Sequence, residues 1–144
     1  MKISSKGRYA LEALLCMAVY YEKTPVRLKD IIERTSIPER YLEQIFFKLR
    51  KAGVLGSVRG SAGGYYLKIE PGGLTAEAIV SAVEGELVTV PCVKDASLCN
   101  STVSGSCVTR SLWKEMAQEV EEVLEQVTLK ELKDKFVAET GETA

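Results

Sequence analysis

Three cysteines, Cys92, Cys99 and Cys107, follow the spacing C-x6-C-x7-C. They fall in a stretch, 86–109, rich in Ser, Thr, Val, Gly and Cys and without a helical period. Thiolates are soft ligands for zinc, for iron in iron–sulfur clusters, and for redox partners. Structural zinc sites use tight cysteine pairs and four ligands, and neither is present here. The spacing therefore leaves three chemistries open: an iron–sulfur cluster, zinc, or simple redox thiols. The fourth cysteine, Cys16, lies inside an apolar helix and reads as a small core hydrophobe. No histidine occurs in the 144 residues. That removes the commonest general base and excludes Ser-His and Cys-His hydrolases. With no phosphate-binding fingerprint either, the chain does not read as an enzyme.

A second group of residues could read nucleic acid. Residues 1–70 hold 13 Lys and Arg against 7 Asp and Glu, whereas residues 71–144 hold 6 against 13. A basic half suggests a polyanionic partner. Within it, Leu42, Ile45, Phe46 and Leu49 share one helical face. Arg40, Glu43, Gln44, Phe47 and Lys51 share the opposite one, with Glu39 and Lys48 at its margins. Arg can pair with guanine, Gln with adenine, and Glu can accept from a cytosine amino group. Arg59 stands beside the glycine-rich tip Gly60-Ser61-Ala62-Gly63-Gly64, where a lone Arg can enter an electronegative minor groove. Lys6, Arg8 and Tyr9 open the first helix and suit phosphate contacts.

These residues must be held by the following elements. A buried helix is expected from Ser4 or Ser5 to Tyr21, ending before Thr24-Pro25. A short amphipathic helix, Leu28 to Arg34, turns its Leu28, Ile31 and Ile32 inward. Ser36 and Glu39 have capping-box spacing with Pro38 in the first turn. The helix they start runs to Ala52, stopped by Gly53. Strands Val54–Arg59 and Tyr65–Glu70 form a hairpin. Thr75 caps a helix ending at Gly85. After the cysteine loop a long helix runs from Ser111 to Val127. Its apolar residues Leu112, Met116, Val120, Val123 and Val127 recur at steps of 4, 4, 3 and 4, the seam of a helix that packs along a partner. Thr128 and Glu131 form another capping box, starting a short helix to Phe136 before a frayed end.

The expected fold is mainly α with a small β-hairpin: a winged helix-turn-helix plus a long C-terminal dimerisation helix. The expected divisions are 1–73 for DNA binding, 74–90 as a connecting helix, 91–109 as the cysteine loop, and 110–138 for dimerisation. The longest apolar run, Ala13 to Tyr21, is nine residues, far below the ~20 needed to span a bilayer. Met1 to Lys6 lacks the apolar stretch of a signal peptide. No membrane association and a cytoplasmic location are expected.

Met1-Lys2-Ile3-Ser4, Gly7-Arg8-Tyr9-Ala10, Ile37 to Ile45, Leu49 to Leu55, Val58-Arg59-Gly60 and Gly63-Gly64-Tyr65 together resemble the Rrf2 family of bacterial winged-helix regulators. The likeness extends over nearly the whole chain, strongest over 1–70, and points to the IscR-like, three-cysteine branch. The resemblance implies a homodimer that binds a promoter palindrome in double-stranded DNA. It implies DNA contacts from Ser4, Lys6, Tyr9, Glu39, Arg40, Tyr41, Glu43, Gln44, Lys48, Arg59, Gly60 and Ser61. Glu43, Gln44 and Arg59 are the base or groove contacts, and Arg40 occupies a position where the family varies. It further implies an iron–sulfur cluster on Cys92, Cys99 and Cys107, with 2Fe–2S favoured over 4Fe–4S. The cluster would order residues 91–108, shift the reading heads, and regulate iron–sulfur assembly. A nitric-oxide sensor, an iron sensor, a cluster-free thiol sensor and a winged helix that binds only protein are the alternatives. The fourth ligand departs from the family pattern. The histidine that IscR-like members place three residues after the third cysteine is Arg110 here, and the N-terminal aspartate of others is matched by Arg8. Asp95, Glu84, Glu86, Glu12, Thr109, Ser111 or an exogenous ligand remain.

Overall fold

The computed structural model describes residues 3–87, 90–99 and 107–143. Met1 and Lys2, the start of the expected reading surface, and residues 100–106 of the expected cysteine loop lie outside them.

Helix α1 (Ser5–Tyr20) forms the centre, its N-terminus capped by the Ser4 hydroxyl, which accepts from the Lys6 N–H. Its nearly all-round apolar character has a direct cause: α2 (Leu28–Thr35), α3 (Glu39–Lys51), α4 (Ala76–Glu84) and α7 (Leu129–Thr140) all pack against it. Ala10, Ala13, Leu14, Met17 and Ala18 are therefore fully buried. Leu42, Ile45, Phe46 and Leu49 of α3 are sealed in the same core. Ile79 and Val83 of α4 and Leu129 of α7 join it, so one core spans segments far apart in sequence.

The link between α2 and α3 differs from the expected capping box. Ser36 adopts a left-handed conformation (φ 58°, ψ 19°) and closes α2, its N–H donating to the Ile32 carbonyl. Pro38 takes the N-cap position of α3 without a side-chain cap. Serine is more commonly an N-cap, but here the three-residue link places it in the left-handed conformation that closes α2.

Strands β1 (Leu55–Val58) and β2 (Gly64–Leu67) pair antiparallel with Leu55 opposite Leu67 and Val58 opposite Gly64, shorter than the expected strands. Val26 adds a bridge to Tyr65 through two backbone hydrogen bonds of 2.9 and 2.8 Å. Gly64 permits this: a Cβ there would sit 2.4 Å from the Val26 carbonyl oxygen. Tyr65 also meets Phe46 edge-on at 4.9 Å between ring centroids, tying the hairpin to α3.

The described part of 86–109 is not an unbroken loop. It contains one turn of helix, α5 (Pro91–Lys94), and a 3-10 turn, Ala96–Leu98. These follow Pro91 at a helix's first position and the Asp95 side chain accepting from the Ser97 N–H, local devices too short to show a period. Helix α6 (Val108–Gln126) begins three residues before the expected Ser111 and buries none of its side chains. The chain then returns: Ala76 N–H donates to Val127 O at 2.7 Å and Leu129 N–H to Leu74 O at 2.8 Å. The Thr128–Glu131 capping box is present, and α7 continues past Phe136 to Thr140, where Gly141 ends it. Tyr20 holds this end of the chain, packing edge-on against Phe136 at 6.5 Å and donating its hydroxyl to the Glu142 carboxylate just past the helix.

Candidate nucleic-acid interface and cysteine segment

The starts of α1 and α3 meet in a polar surface, and the hairpin tip forms a second exposed polar segment. Tyr9 of α1 and Tyr41 of α3 lie 5.9 Å apart between ring centroids. This pair joins the turn carrying Lys6 and Arg8 to the turn carrying Glu39 and Arg40. The Arg40 guanidinium stacks 4.9 Å from the Tyr41 ring centroid and donates to its hydroxyl at 3.2 Å. Glu43, Gln44 and Phe47 follow on the outward face of α3, all exposed, Phe47 to 66%. Among the described residues, the side chains of Glu43, Gln44 and Arg59 make no hydrogen bond or ion pair. Polar groups left free on a rigid helix are available to a partner.

Other predicted site residues are already engaged. Ser4 caps α1, and its backbone N–H donates to the Glu84 carboxylate at 3.0 Å. Lys48 does not pair with Glu43; its ammonium donates to the Val83 carbonyl at 2.6 Å, closing the C-terminus of α4. Arg59, Gly60 and Ser61 are exposed at the tip. Gly60 turns the chain at φ +105°, a conformation side chains resist. The Arg27 guanidinium donates to the Ser61 carbonyl and anchors the tip to the start of α2. Arg27 was not legible as a site residue, because its partner lies 34 positions away.

The cysteines divide. Cys16 is buried in α1, and that burial pushes its thiol pKa up. Cys92, Cys99 and Cys107 are free and half-buried. Cys107 precedes α6. The Thr109 hydroxyl, 3.2 Å from its sulfur, the Arg110 backbone N–H and the Cys99 thiol hold its pKa below the usual thiol range. Cys99 and Cys107 are thus brought together. Cys92 is tied in through its backbone, its carbonyl accepting from Arg110 Nε at 2.7 Å. Among the described residues no three of the Cys, Asp and Glu side chains converge as a metal-holding group. The donor chemistry, paired free thiols with a third nearby in sequence, fits a soft-metal centre, while Cys92 is not drawn in.

Of the oxygen ligands raised from sequence, Thr109 lies beside Cys107, while Glu84, Glu86 and Asp95 have other partners. Glu84 holds α1, Glu86 pairs with Lys94 at 2.6 Å, and hydrogen bonds from Ser97 hold the Asp95 carboxyl below its usual range. Glu12 lines an open cavity with Cys16, Arg34 and Tyr20, remote from this segment in sequence.

The sequence model of the Rrf2 family, described as "Iron-dependent Transcriptional regulator", matches residues 3–135. The chain belongs to the Rrf2 family. Among its relatives in that family, the HTH-type transcriptional regulator IscR of Vibrio atlanticus is 41% identical over 143 residues, covering 99% of this chain and 81% of that protein. Two solved Rrf2-type structures are similar. The IscR of T. potens has a TM-score of 0.79 at 35% identity over 97% of this chain and 91% of that one. CymR, described as the global cysteine regulator of B. subtilis, has a TM-score of 0.77 at 35% identity over 94% and 98%. The expected winged-helix architecture is thereby established, and this Rrf2 protein is a transcription regulator rather than an enzyme. Among the described residues no helix is long and apolar enough to cross a membrane.

Proposed function

We propose that the chain is a dimeric, sequence-specific regulator of promoters for iron–sulfur cluster assembly, and that a cluster on Cys92, Cys99 and Cys107 controls its DNA binding. The observation that carries the cluster reading is that one segment holds three free, half-buried thiols, Cys92 on α5, Cys99 after the 3-10 turn and Cys107 at the N-cap of α6, with α5 tied to α6 by Arg110 on the Cys92 carbonyl. When bound, the cluster supplies an iron- and redox-sensitive crosslink among three thiolates.

The chain's own residues supply the rest. Glu43 and Gln44 read base edges in the major groove, Arg59 enters the flanking minor groove, and Lys6, Arg8 and Tyr9 hold phosphates. The open apolar stripe of α6, with Val108, Leu112 and Val123 at 78%, 54% and 59% exposure, supports pairing with a second copy. Pairing places two reading heads about 34 Å apart, the spacing of palindrome half-sites. Crosslinking the cysteine segment shifts the start of α6 and hence the separation of the heads, biasing one DNA-bound state over another.

The test is anaerobic reconstitution with iron and sulfide, followed by visible absorbance, Mössbauer spectroscopy and binding to the duplex that the chain itself enriches from a random-sequence pool. The Cys92→Ala, Cys99→Ala and Cys107→Ala triple variant is expected to stay colourless and to change affinity for that duplex. A two-iron Mössbauer signature is expected over a four-iron one. Wild-type protein that stays free of iron and sulfide would favour the thiol-sensor reading. Equal DNA affinity with and without the cluster would sink the switch.

A further inference from the structure

We propose that Glu84 is a positioning residue for DNA reading, holding the first turn of α1 in register with α3; this rests on the DNA-binding function proposed above. One oxygen, Oε1 of Glu84, accepts three hydrogen bonds from that turn: Ser4 N–H at 3.0 Å, Gly7 N–H at 2.9 Å and the Ser4 hydroxyl at 2.5 Å. First-turn N–H groups have no partner within their own helix, and a carboxylate there also meets the positive end of the helix dipole. The Ser4 hydroxyl is itself spent on Lys6 N–H at 3.1 Å. The turn is thus capped from both sides, once locally and once by a residue eighty positions away.

What the turn carries gives the cap its consequence. Lys6, Arg8 and Tyr9 project from it, and Tyr9 meets Tyr41 at the start of α3. The same end of α4 is held to α3 by the Lys48 ammonium on the Val83 carbonyl. The last turn of α4 therefore clasps both helices of the polar surface, one through Glu84 and one through Val83. Gly7 makes the clasp possible, since a Cβ there would lie 2.8 Å from Glu84 Oε1 and 2.9 Å from Ile3 Cγ2. Both obstructing atoms are side-chain ends, so an alanine displaces the carboxylate rather than the backbone.

Ordinary helix capping predicts a loss of stability alone. Positioning predicts a change in DNA binding that stability does not track. The experiment measures affinity of the full chain for its pool-enriched duplex across a salt series, together with the melting temperature, for Glu84→Ala, Glu84→Gln and Gly7→Ala. Glu84→Ala is expected to weaken binding about tenfold and to lower the salt slope by about one, the loss of roughly one phosphate contact. Glu84→Gln keeps an oxygen acceptor in place and should remain within about threefold of wild type. Gly7→Ala gains helix propensity that offsets part of the lost cap, so its melting temperature should fall less than that of Glu84→Ala, yet its affinity should fall as in Glu84→Ala. Wild-type affinity and slope in both alanine variants would overturn the proposal alone. A pool from which the wild-type chain enriches no duplex would overturn the DNA-binding assignment and this proposal with it.

Discussion

In α3 the apolar residues Leu42, Ile45, Phe46 and Leu49 are shut away from water, whereas α6, six residues longer, buries none of its side chains completely. Both helices are amphipathic by sequence. The difference is in what surrounds them. Helix α3 lies against α1, α2, α4 and β1, while the main contacts of α6 among the described residues are with α4 and α5. The first region completes its core within one chain and offers a polar face outward. The second half-covers Met116 and Val120 and leaves Val108, Leu112 and Val123 exposed among the described residues. A closed region of this kind tolerates no loss of volume, and an open one tolerates no added charge once it is paired.

The contrast can be broken most directly at Phe46. Phe46→Ala should cost about 3–5 kcal/mol of folding free energy by cavity formation, read by urea unfolding. Leu112→Ala in α6 should change the stability of the monomer by no more than about 0.5 kcal/mol, measured below the concentration of self-association. Equal losses would erase the distinction between the two regions.

Val123→Glu sharpens it from the other side. A charge on the open stripe should raise the dimer dissociation constant at least about thirtyfold, about 2 kcal/mol, in sedimentation equilibrium, with helical content unchanged. A dimer of wild-type strength would place the pairing surface elsewhere. Arg59→Ala tests the outward face of the closed region: promoter affinity should fall by about 1–3 kcal/mol in a titration, while the melting temperature stays put. A smaller loss than at Phe46 is expected at the Thr128 box, where the chain returns from the open region to the closed one. Thr128→Ala should cost about 1 kcal/mol. The Thr128 N–H and hydroxyl hold the Glu131 carboxyl below its ordinary value of 4.5. A lowered folded-state pKa stabilises above the ordinary value and loses that contribution as pH falls through the folded one. Glu131→Gln should therefore flatten the acid limb of the stability curve below about pH 4.5, and an unaltered limb would argue against the box.

Much of the fold was legible because it rests on short-range rules. The i, i+3, i+4 apolar pattern of α3, the Thr75 and Thr128 caps and the glycine-rich hairpin tip all involve residues within a few positions of one another, and each is found where the pattern puts it. The expected Ser36 capping box is absent because Ser36 closes α2 in the left-handed conformation while the next residue, Ile37, is buried in the core. Helix α7 outruns its expected end at Phe136, and the long-range contact beyond that end, the Tyr20 hydroxyl donating to the Glu142 carboxylate, is 122 positions distant in sequence. In the candidate interface, the outward residues of α3 could be read from periodicity. The roles of Arg27, Glu84 and Lys48 could not, since their partners are a carbonyl at Ser61, the first turn of α1 and a carbonyl at Val83.

Sequence by itself determined which faces are apolar, which residues can donate to bases, and that three thiols share one segment, because each of these depends on residue type and local spacing. Only the tertiary structure decided which polar groups stay free for a partner. Glu43, Gln44 and Arg59 remain uncommitted while Ser4, Lys48 and Glu84 are consumed in holding helices together. The physical reason is that a hydrogen-bonding group serves whichever partner the packed chain brings within about 3 Å, and that partner is set by the core rather than by the neighbours in sequence.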